Sequence, residues 1–356
     1  MSTVLVTGGG GFIGLALVRE LRRQGRDVWV FGRNRYPAAE AVGAVCLQGD
    51  LRDAEAVSRA VEGCASVFHV AAKAGIWGSY EEYYGINYTG TCNVLDACCK
   101  HKVQALVQTS TPSVVFDGRD IEGGNELMPH SLRPLCHYAA TKIMAEREVL
   151  LANDRGLRTA AIRPHLVWGP GDTNLIPRLL ARGRAGRLRI VGNGQNRVDI
   201  SYIDNVVHAH LLAEQSLLSS RDIAGKVFFI GQKEPVLLWP WINELFRRMD
   251  VPQVTKRISL RNARMLGWLL EKAHTALKRE HEPRMTRFLA EQLAMSHWFS
   301  KKRAEELLGY KELVSTEEGL DRLVRWLRQA EQGCGRPCNS CWKLHECPCP
   351  PPSSVL

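Results

Sequence analysis

Tyr138 and Lys142 are the two residues whose types and spacing are best suited to catalysis. Residues four positions apart share one face of an α-helix, so a helix here would place the phenol beside the ammonium group. A nearby positive charge favours the phenolate and is expected to lower the pKa of Tyr138 toward neutral pH. The tyrosine could then exchange a proton with an alcohol or carbonyl oxygen while hydride moves between carbon and a nicotinamide ring.

A cluster of hydroxyl residues before this pair could hold the reacting oxygen. The apolar run 105–108 predicts a strand that leads directly into residues 109–113, Thr-Ser-Thr-Pro-Ser. One hydroxyl of this cluster would hydrogen-bond the oxygen that Tyr138 protonates. The residues alone leave Thr111, Ser110 and Ser113 open as the hydroxyl that does so.

The first residues of the chain predict a strand, a tight turn and a helix. The apolar run 4–6 leads into Thr7 and a glycine cluster, and a helical apolar pattern follows. Such a turn lets the backbone approach a pyrophosphate, which the helix N-terminus also attracts. The predicted cofactor contacts in this stretch are Gly8, Gly11, Phe12, Ile13 and Gly14.

The residues after the second predicted strand bear on which dinucleotide binds. In dinucleotide folds, an Asp at the end of this strand accepts hydrogen bonds from the adenosine ribose of NAD. Here the strand 28–31 is followed by Gly32, Arg33, Asn34 and Arg35, without a carboxylate. Two guanidinium groups could hold a 2′-phosphate, so the sequence favours NADP(H), with NAD(H) as the alternative.

Strands alternate with helices along the first half of the chain. Apolar runs at 28–31, 44–48, 66–70 and 105–108 predict strands, and a helix is predicted over 81–101. This alternation predicts an α/β fold: a Rossmann-type doubly wound parallel sheet with a smaller C-terminal substrate lobe. We expect a dinucleotide-binding domain over 1–172, whose core also takes elements from about 198–230. A substrate lobe over 173–330 and a Cys/Pro-rich tail over 331–356 would follow.

The composition argues against two classes of protein. The 356 residues carry a net charge of +10, but without a long Lys/Arg run interleaved with aromatic residues, so nucleic-acid binding is not expected. No apolar run approaches the roughly 18 residues of a membrane span, and the early first strand leaves no room for a signal peptide. We therefore expect a cytoplasmic protein that acts on a small molecule.

Several motifs occur together between residue 3 and about residue 330. They are Thr7–Gly14, Gly49-Asp50-Leu51, Ala71-Ala72, Asn87 in Asn-Tyr-Thr-Gly-Thr, Thr109-Ser110-Thr111, Tyr138–Lys142 and Arg163–Asp172. This combination resembles the extended short-chain dehydrogenases/reductases. Within them, Val198–Val206 and His297–Ser300 are similar to the 3β-hydroxysteroid dehydrogenase branch. Residues 72–80, 109–114 and 285–293 resemble the bacterial 2-alkyl-3-oxoalkanoate reductases of long-chain olefin biosynthesis.

The resemblance implies a role for each motif residue. Tyr138 would be the acid/base, with Lys142 as its pKa-lowering partner and a ligand of the nicotinamide ribose. Thr111 would occupy the usual Ser/Thr position, and Asn87 would steady the catalytic helix and a proton-relay water. The other implied cofactor contacts are Asp50 and Leu51 beside the adenine, Ala71 and Ala72 at a strand end, and Pro164 and Leu166 against the nicotinamide.

The same resemblance implies a lipid-like substrate. The expected activity is NADP(H)-dependent reduction of a long-chain 2-alkyl-3-oxo acid to the 3-hydroxy acid. A 3β-hydroxysteroid dehydrogenase, including the type that acts on sterol 4-carboxylates, is the first alternative because its chemistry is similar. A sugar-nucleotide epimerase is disfavoured by the lipid-branch motifs. A nucleotide-sensing protein without turnover is disfavoured because Tyr138 and Lys142 are both present.

The carboxylate of such a substrate requires a cation or a hydrogen-bond donor. Lys73, His165 and Arg197 are the candidates that the sequence offers. Trp77 is a further candidate substrate contact because its loop, 73–78, follows a strand at the edge of the sheet where ligands bind.

Residues 256–290 are basic and amphipathic, with a short apolar patch at 265–270 amid lysines and arginines. This segment is interpreted as a lid over a long apolar substrate, as a surface for a membrane or a pathway enzyme, or as a helix packed on the core. We also expect a homodimer.

Five of the eleven cysteines lie in the tail 331–356, whereas the other six are expected to be reduced residues of the body. Cys334, Cys338, Cys341 and Cys347 could hold zinc, which prefers four Cys/His ligands, and the spacing of the first three also suits an iron–sulfur cluster. We favour a tail without a metal.

Overall fold

A sheet of seven parallel strands forms the centre of the computed structural model, which describes residues 3–220, 222–279 and 281–333. The strands of these ranges are β1 (Thr3–Thr7), β2 (Val28–Gly32), β3 (Val45–Gln48), β4 (Cys64–His69), β5 (Ala105–Thr109), β6 (Ile121–Gly124), β7 (Arg158–Pro164), β8 (Val167–Trp168), β9 (Ile190–Val191), β10 (Arg197–Val198), β11 (Ser201–Tyr202), β12 (Lys226–Ile230), β13 (Val236–Leu237), β14 (Arg257–Ile258) and β15 (His297–Phe299).

The central sheet has the spatial order β3, β2, β1, β4, β5, β7, β12, and all neighbouring strands are parallel. From β1 the chain adds strands first on one side (β2, β3) and then on the other (β4, β5, β7, β12). The order of the strands therefore switches between β1 and β4, and ligands are expected at the carboxyl ends of these two strands. This confirms the predicted Rossmann-type doubly wound parallel sheet. Strand β12 joins it from the expected region 198–230, whereas the predicted domain boundary at residue 172 stays a prediction.

Helices cover both faces of this sheet. They are α1 (Phe12–Arg23), α2 (Pro37–Glu40), α3 (Ala54–Val61), α4 (Tyr80–Tyr83), α5 (Gly90–Lys100), α6 (His137–Leu151), α7 (Leu175–Arg184), α8 (Ile203–Ser219), α9 (Leu238–Arg248), α10 (Leu260–Ala276), α11 (Arg287–Ala294), α12 (Lys302–Leu308) and α13 (Thr316–Gly333). Polar side chains cap several of them: Asp53, Ser259 and Thr286 each accept a backbone N–H from the first turn of α3, α10 and α11. None of the helices described is both long and apolar enough to cross a membrane.

The core lies on both faces of the central sheet because successive residues of a strand point to opposite sides. In β1, Val4 and Val6 pack with Leu17 of α1 in one buried cluster. Leu5, between them, packs with Val57 of α3 in a second cluster on the other face. A strand buried on both faces requires the continuous apolar run that the sequence has here.

The predicted helix over 81–101 is interrupted, which corrects the sequence prediction. Residues Tyr84–Thr89 form a π-helical segment between α4 and α5. One turn of π-helix adds a residue to the helical repeat, and such segments often occur at functional sites. Here the segment carries Asn87, whose side chain is buried. The π-helix therefore sets the position of one predicted site residue.

A smaller sheet has the order β13, β10, β15, β6. Strands β10 and β13 are antiparallel, and the other neighbours are parallel. Phe299 of β15 stacks on Phe229 of β12 with ring centroids 4.1 Å apart. The smaller sheet is therefore packed against the edge strand β12 of the central sheet, near the carboxyl end of β7.

Candidate active site

The glycine turn after β1 is shaped by close backbone contacts. Gly8 has a φ of +70°, and a methyl group there would lie 2.8 Å from the Cα atom of Ala71. A methyl group on Gly14 would lie 2.2 Å from the carbonyl oxygen of Gly8. Both positions therefore require glycine. Phe12 and Ile13 form the first two positions of α1.

The space above Gly11 fits a pyrophosphate. A methyl group on Gly11 would meet only the carbonyl oxygen of Gly8, at 3.3 Å. The first-turn N–H groups of α1 have no partner within the helix, and with the helix dipole they attract an anion. The sequence did not indicate Tyr36, whose ring lies against Gly10 and Gly32 and so covers one side of this turn.

The two arginines after β2 are exposed, as the cofactor prediction requires. Arg35 pairs with Glu40 at 3.1 Å. Arg33 lies near Asp50: the hydrogen bond from Arg52 is the largest effect that lowers the pKa of Asp50, and the charge of Arg33 adds to it. This end of the central sheet therefore presents two guanidinium groups beside the crevice.

The segment after β4 is held by a chain of buried hydrogen bonds. The N–H of Ala71 donates to the hydroxyl of Thr7, which bonds His69 Nδ1 at 2.8 Å. His69 Nε2 bonds Thr91, which donates to the carbonyl oxygen of Asn87. Burial lowers the pKa of His69 to about 3, so this histidine is neutral and structural.

Asn87 connects the segment after β4 with the catalytic helix. Its Oδ1 accepts from the N–H of Lys73 at 2.7 Å, and its Nδ2 donates to the carbonyl oxygen of the same residue. The Nδ2 also donates to the hydroxyl of Thr141 on α6 at 3.1 Å. The structure thus places Asn87 where it fixes α6 relative to the loop at the end of β4. Ala72 follows β4 in the same segment as Lys73, and the buried Leu51 packs against Gly90.

Tyr138 and Lys142 lie on the predicted face of α6 with Thr111 beside them. Burial raises the pKa of Tyr138 to about 12, and the hydrogen bond with Thr111 opposes this rise. Burial is therefore the dominant effect on Tyr138 in this structure, and a lowering of its pKa by Lys142 stays a prediction. Lys142 Nζ donates to the carbonyl oxygen of Thr109 at 2.7 Å. Burial lowers the pKa of Lys142 to about 8, against the charge of Glu146.

The three candidate hydroxyl groups have different partners. Thr111 is the hydrogen-bond partner of Tyr138 and also donates to the hydroxyl of Ser113 at 3.2 Å. Ser110 donates instead to the buried carboxylate of Glu146. The geometry therefore brings Thr111 to the tyrosine, while Ser110 belongs to a network behind the helix.

That network centres on Glu146, which the sequence did not single out although it follows Lys142 by one helical turn. Its carboxylate accepts from Arg163 Nε at 2.9 Å and bonds His130 at 2.7 Å. Burial by itself would raise the pKa of Glu146, but the bonds from Arg163 and His130 outweigh it and lower the pKa to about 2. A buried ion pair therefore fixes α6 to the carboxyl end of β7.

The end of β7 carries Pro164, His165 and Leu166 into the site. Leu166 has a φ of +42°, which an L-residue adopts at a cost of about 1–2 kcal/mol. His165 Nε2 lies 2.6 Å from His297 Nδ1 of β15, and both rings are buried. Sequence reasoning missed His297 as a site residue. Its partner is far away in the chain, so only the tertiary fold brings the two together.

The other three candidate substrate residues have surroundings that limit their roles. Lys73 Nζ pairs with Glu82 at 2.8 Å. Trp77 Nε1 donates to the carbonyl oxygen of Arg279 at 3.0 Å, and its ring contacts His274 of α10. Arg197 is exposed on β10. Of the cationic or donor candidates, His165 is the one that is buried next to the hydroxyl cluster.

Residues 5–261 match the model of the 3-beta hydroxysteroid dehydrogenase/isomerase family. The chain belongs to this family. Over 322 residues it is 47% identical to the 2-alkyl-3-oxoalkanoate reductase of Stenotrophomonas maltophilia strain K279a, covering 90% of this chain and 98% of that protein. Over 329 residues it is 34% identical to the decarboxylating sterol-4-alpha-carboxylate 3-dehydrogenase of Mus musculus, covering 90% and 89%.

Among solved structures, MoeE5 in complex with UDP-glucose and NAD matches this family member with a TM-score of 0.71 at 27% identity, covering 92% of this chain and 99% of MoeE5. The family and its dehydrogenase and reductase relatives identify the chain as an NAD(P)-dependent oxidoreductase. The open glycine turn at Gly11 is compatible with the pyrophosphate of a dinucleotide.

The grouping of side chains that could ligate a metal can be compared with the metal prediction. In residues 3–220, 222–279 and 281–333, no three His, Cys, Asp or Glu side chains are grouped to hold an ion. The candidate ligands in the tail lie outside the described residues; they are Cys334, Cys338, Cys341 and Cys347. Whether the tail binds a metal therefore stays a prediction.

Proposed function

We propose that this dehydrogenase reduces a long-chain 2-alkyl-3-oxoalkanoate to the 2-alkyl-3-hydroxyalkanoate with NADPH. The 47% identity to a protein of that name, over nine-tenths of the chain, supports the substrate class. The observation that carries the chemistry is the position of a half-buried Tyr138 beside Thr111, with Lys142 one helical turn further along α6. Together they suit protonation of a ketone oxygen.

Tyr138 is the acid of the proposed reaction. Its high pKa keeps the phenol protonated at neutral pH, so it can donate to the oxygen of the substrate carbonyl. Thr111, whose hydroxyl hydrogen points to Ser113 in this structure, would rotate it toward that oxygen and donate a second hydrogen bond that orients it. A bound nicotinamide supplies the hydride, which the carbonyl carbon accepts.

Lys142 stabilises the phenolate that proton donation leaves on Tyr138. Its charge is held in place by the carbonyl oxygen of Thr109 and favoured by the nearby carboxylate of Glu146. Because its pKa is about 8, the lysine is charged at neutral pH and loses that charge as the pH rises past 8. Asn87 keeps α6 at a fixed distance from the end of β4, which preserves the geometry of the pair.

NADP(H) is the proposed cofactor because two exposed arginines follow β2. A 2′-phosphate would compete with Glu40 for Arg35, whose ion pair is exposed to solvent and therefore weak. Arg33 lies on the same segment and acts on Asp50 through its charge alone. Asp50 and Leu51 would then flank the adenine. NAD(H) is the alternative, and it requires that neither arginine contribute to binding.

Oxidation of a 3β-hydroxysteroid 4-carboxylate is the second candidate function. The 34% identity to a decarboxylating sterol-4-alpha-carboxylate dehydrogenase favours it. The two substrates share a hydroxyl group on the carbon next to a carboxyl-bearing carbon. The same Tyr138 and Thr111 would act on both substrates. The two functions therefore differ in whether the rest of the site accepts long alkyl chains or steroid rings.

The test measures oxidation of the stable hydroxy acids, because β-keto acids decarboxylate. Purified full-length protein receives a synthetic long-chain 2-alkyl-3-hydroxy acid or a sterol 4-carboxylate, with NADP⁺ or NAD⁺, and reduced nicotinamide is followed by absorbance. The proposal expects the highest kcat/KM with the alkyl acid and NADP⁺. Turnover with NAD⁺ alone would remove the cofactor proposal, and turnover of only the sterol would establish the second candidate. Tyr138→Phe controls for contaminating activity.

A further inference from the structure

A pair of buried histidines lies beside the hydroxyl cluster, where β5 and β7 end. His165 and His297 are both more than nine-tenths buried, and they line a small cleft with Pro112, Ser113 and Phe116. Ser113 accepts a hydrogen bond from Thr111, the partner of Tyr138. The cleft therefore adjoins the groups that would act on the substrate carbonyl.

The hydrogen bonds of this pair fix where its protons are. His297 Nε2 lies 2.9 Å from the carbonyl oxygen of Gln292, which can only accept. His297 Nε2 must therefore carry a hydrogen, and in the neutral ring His297 Nδ1 is an acceptor. His165 Nε2, 2.6 Å away, must then donate to it. In the neutral pair, His165 Nδ1 is thus left as an unprotonated acceptor.

We propose that His165, supported by His297 and Ser113, binds the carboxylate of the substrate and takes up one proton from solvent when it does so. The proton goes to Nδ1 of His165, which then donates to the carboxylate while Nε2–H still donates to His297. No covalent bond of the substrate changes in this step. The inference rests on the proposed function, since it requires a substrate acid.

The position of the carboxyl group relative to the carbonyl favours this site. In a 3-oxo acid, one carbon separates the carboxyl carbon from the carbonyl carbon, so the carboxylate must lie next to the Tyr138–Thr111 pair. The cleft at Ser113 meets that condition by its position, and its walls must part to admit a carboxylate because it is too narrow here for a water molecule. Lys73 is already neutralised by Glu82, and Arg197 is on the exposed strand β10, so neither competes as well for this role.

The surroundings explain why the proton arrives with the substrate. Burial lowers the pKa of His165 far below its usual value, and His297 and Lys301 add to the effect. Burial also lowers the pKa of His297, against the opposing charge of Asp120. Asp199 is already paired with Lys301 at 2.6 Å. The carboxylate of Asp199 therefore does not compensate a positive charge on His165. A bound carboxylate supplies the missing negative charge and raises the pKa of His165.

The experiment counts protons on binding. The full chain, saturated with NADPH so that no turnover occurs, is titrated with the 2-alkyl-3-hydroxy acid by calorimetry in buffers of different ionisation enthalpy. We expect uptake of about one proton per acid bound, and an acid affinity that falls about tenfold per pH unit above neutral. The methyl ester of the same acid should show neither effect. The ester is also the reference for any change in the protonation of Lys142, because that change would accompany the binding of either ligand.

Variants separate a charged histidine from a structural one. His165→Gln keeps a donor but cannot become charged, so proton uptake should disappear and the preference for acid over ester should fall at least about tenfold. His208→Gln, a half-buried histidine of α8, should keep full uptake. Turnover of the acid without proton uptake would overturn the carboxylate site and leave the proposed function standing. Neither turnover nor binding of the acid would overturn both.

A second inference comes from an independent feature, an exposed apolar patch on α10. The patch consists of Met265, Leu266, Trp268 and Leu269, whose exposed fractions lie between 42% and 58%. The opposite face of α10 is closed, because a methyl group on Gly267 would lie 2.6 Å from the backbone of α11. The patch is therefore turned outward rather than into the core.

The charges around the patch are predominantly positive. Exposed lysines and arginines of the same segment are Lys256, Arg257, Arg261, Lys272, Lys278, Arg279, Arg284 and Arg287. The acids Glu271, Glu282 and Glu291 already pair with arginines. An apolar helix face that contains tryptophan within a basic rim is complementary to an anionic lipid interface. We infer that α10 docks this dehydrogenase on an anionic phospholipid bilayer.

Vesicle binding tests this inference. The full chain should cosediment with vesicles that contain phosphatidylglycerol, less with pure phosphatidylcholine, and less again at high salt. Replacing Trp268 and Met265 together by serine should lower binding at least about tenfold. Leu132→Ser, which changes an exposed leucine outside the patch, should not. If the double variant instead converts a dimer to a monomer in ultracentrifugation and vesicles never bind, the patch is an interface between copies and the inference is wrong.

Discussion

Replacing Glu146 by glutamine tests the buried network behind the catalytic helix. Glu146 is fully buried and accepts hydrogen bonds from Ser110, Arg163 and His130. The substitution keeps the size of the side chain but leaves the guanidinium of Arg163 without its counter-charge. We expect a loss of stability together with a shifted pH profile, because Glu146 also acts on Lys142.

The magnitude follows from the pKa of Glu146. Its hydrogen bonds hold that pKa at about 2, against an ordinary value of 4.5. At about 1.36 kcal/mol per unit, the difference stabilises the folded state by about 3 kcal/mol. Measurements on buried pairs that lose one partner give a similar loss, about 3–5 kcal/mol. Because the folded pKa is lowered, this stabilisation is complete above pH 4.5 and is lost as the pH falls toward 2.

Glu146→Gln should also lower the pKa of Lys142. The carboxylate one turn away favours the ammonium form, and its removal takes that support away. For charges about 6 Å apart at an effective dielectric constant near 20, the effect is about one to two pH units. The alkaline limb of kcat, which follows the charge of Lys142, should move to lower pH by that amount.

The assay is urea unfolding at pH 7 and pH 4, combined with a pH profile of kcat. Glu148→Gln is the matched control, since Glu148 lies on the same helix and is only half-buried. The difference in unfolding free energy between wild type and Glu146→Gln should shrink at the lower pH. If the two variants unfold alike and share one pH profile, the network neither stabilises α6 nor tunes Lys142.

Three further substitutions test other parts of the site. Thr111→Val should lower kcat about 10- to 100-fold because one hydrogen bond to the reacting oxygen is lost. Ser110→Ala should lower the melting temperature and leave kcat unchanged. Equal losses of kcat for the two variants in steady-state kinetics would contradict this. Arg33→Ala should raise the KM for NADP⁺ about tenfold and leave that for NAD⁺ unchanged, and a parallel rise in both would exclude 2′-phosphate recognition. Gly14→Ala would place a methyl group 2.2 Å from the Gly8 carbonyl oxygen, so NADPH titrated by fluorescence should no longer bind; an unchanged Kd would refute that packing argument.

The parallel sheet and the glycine turn could be predicted from the sequence because their signals are local. The run 4–6 is continuously apolar since β1 is buried on both faces, and Gly14 is required by its contact with Gly8 in the same turn. The spacing of Tyr138 and Lys142 likewise places them on one face of α6 without reference to the rest of the chain.

Other features depend on tertiary burial, which local patterns do not reveal. Desolvation raises the pKa of Tyr138, and the spacing of Tyr138 and Lys142 gives no indication of this effect. The π-helical turn at Asn87 differs from an α-helix by one added residue, which apolar periodicity does not resolve over so short a segment. His165 and His297 meet because β15 joins the smaller sheet, and no spacing in the sequence predicts that pairing.

The most direct test of the central claim compares wild-type protein with Tyr138→Phe in the oxidation of a long-chain 2-alkyl-3-hydroxy acid by NADP⁺. The phenylalanine keeps the ring that packs beside Thr111 and removes only the hydroxyl that exchanges the proton. We predict turnover by the wild type, a loss of kcat of about a thousandfold in the variant, and equal affinity of both for NADPH. Comparable turnover by the two proteins would contradict the assignment of Tyr138 as the acid, and with it the mechanism proposed here.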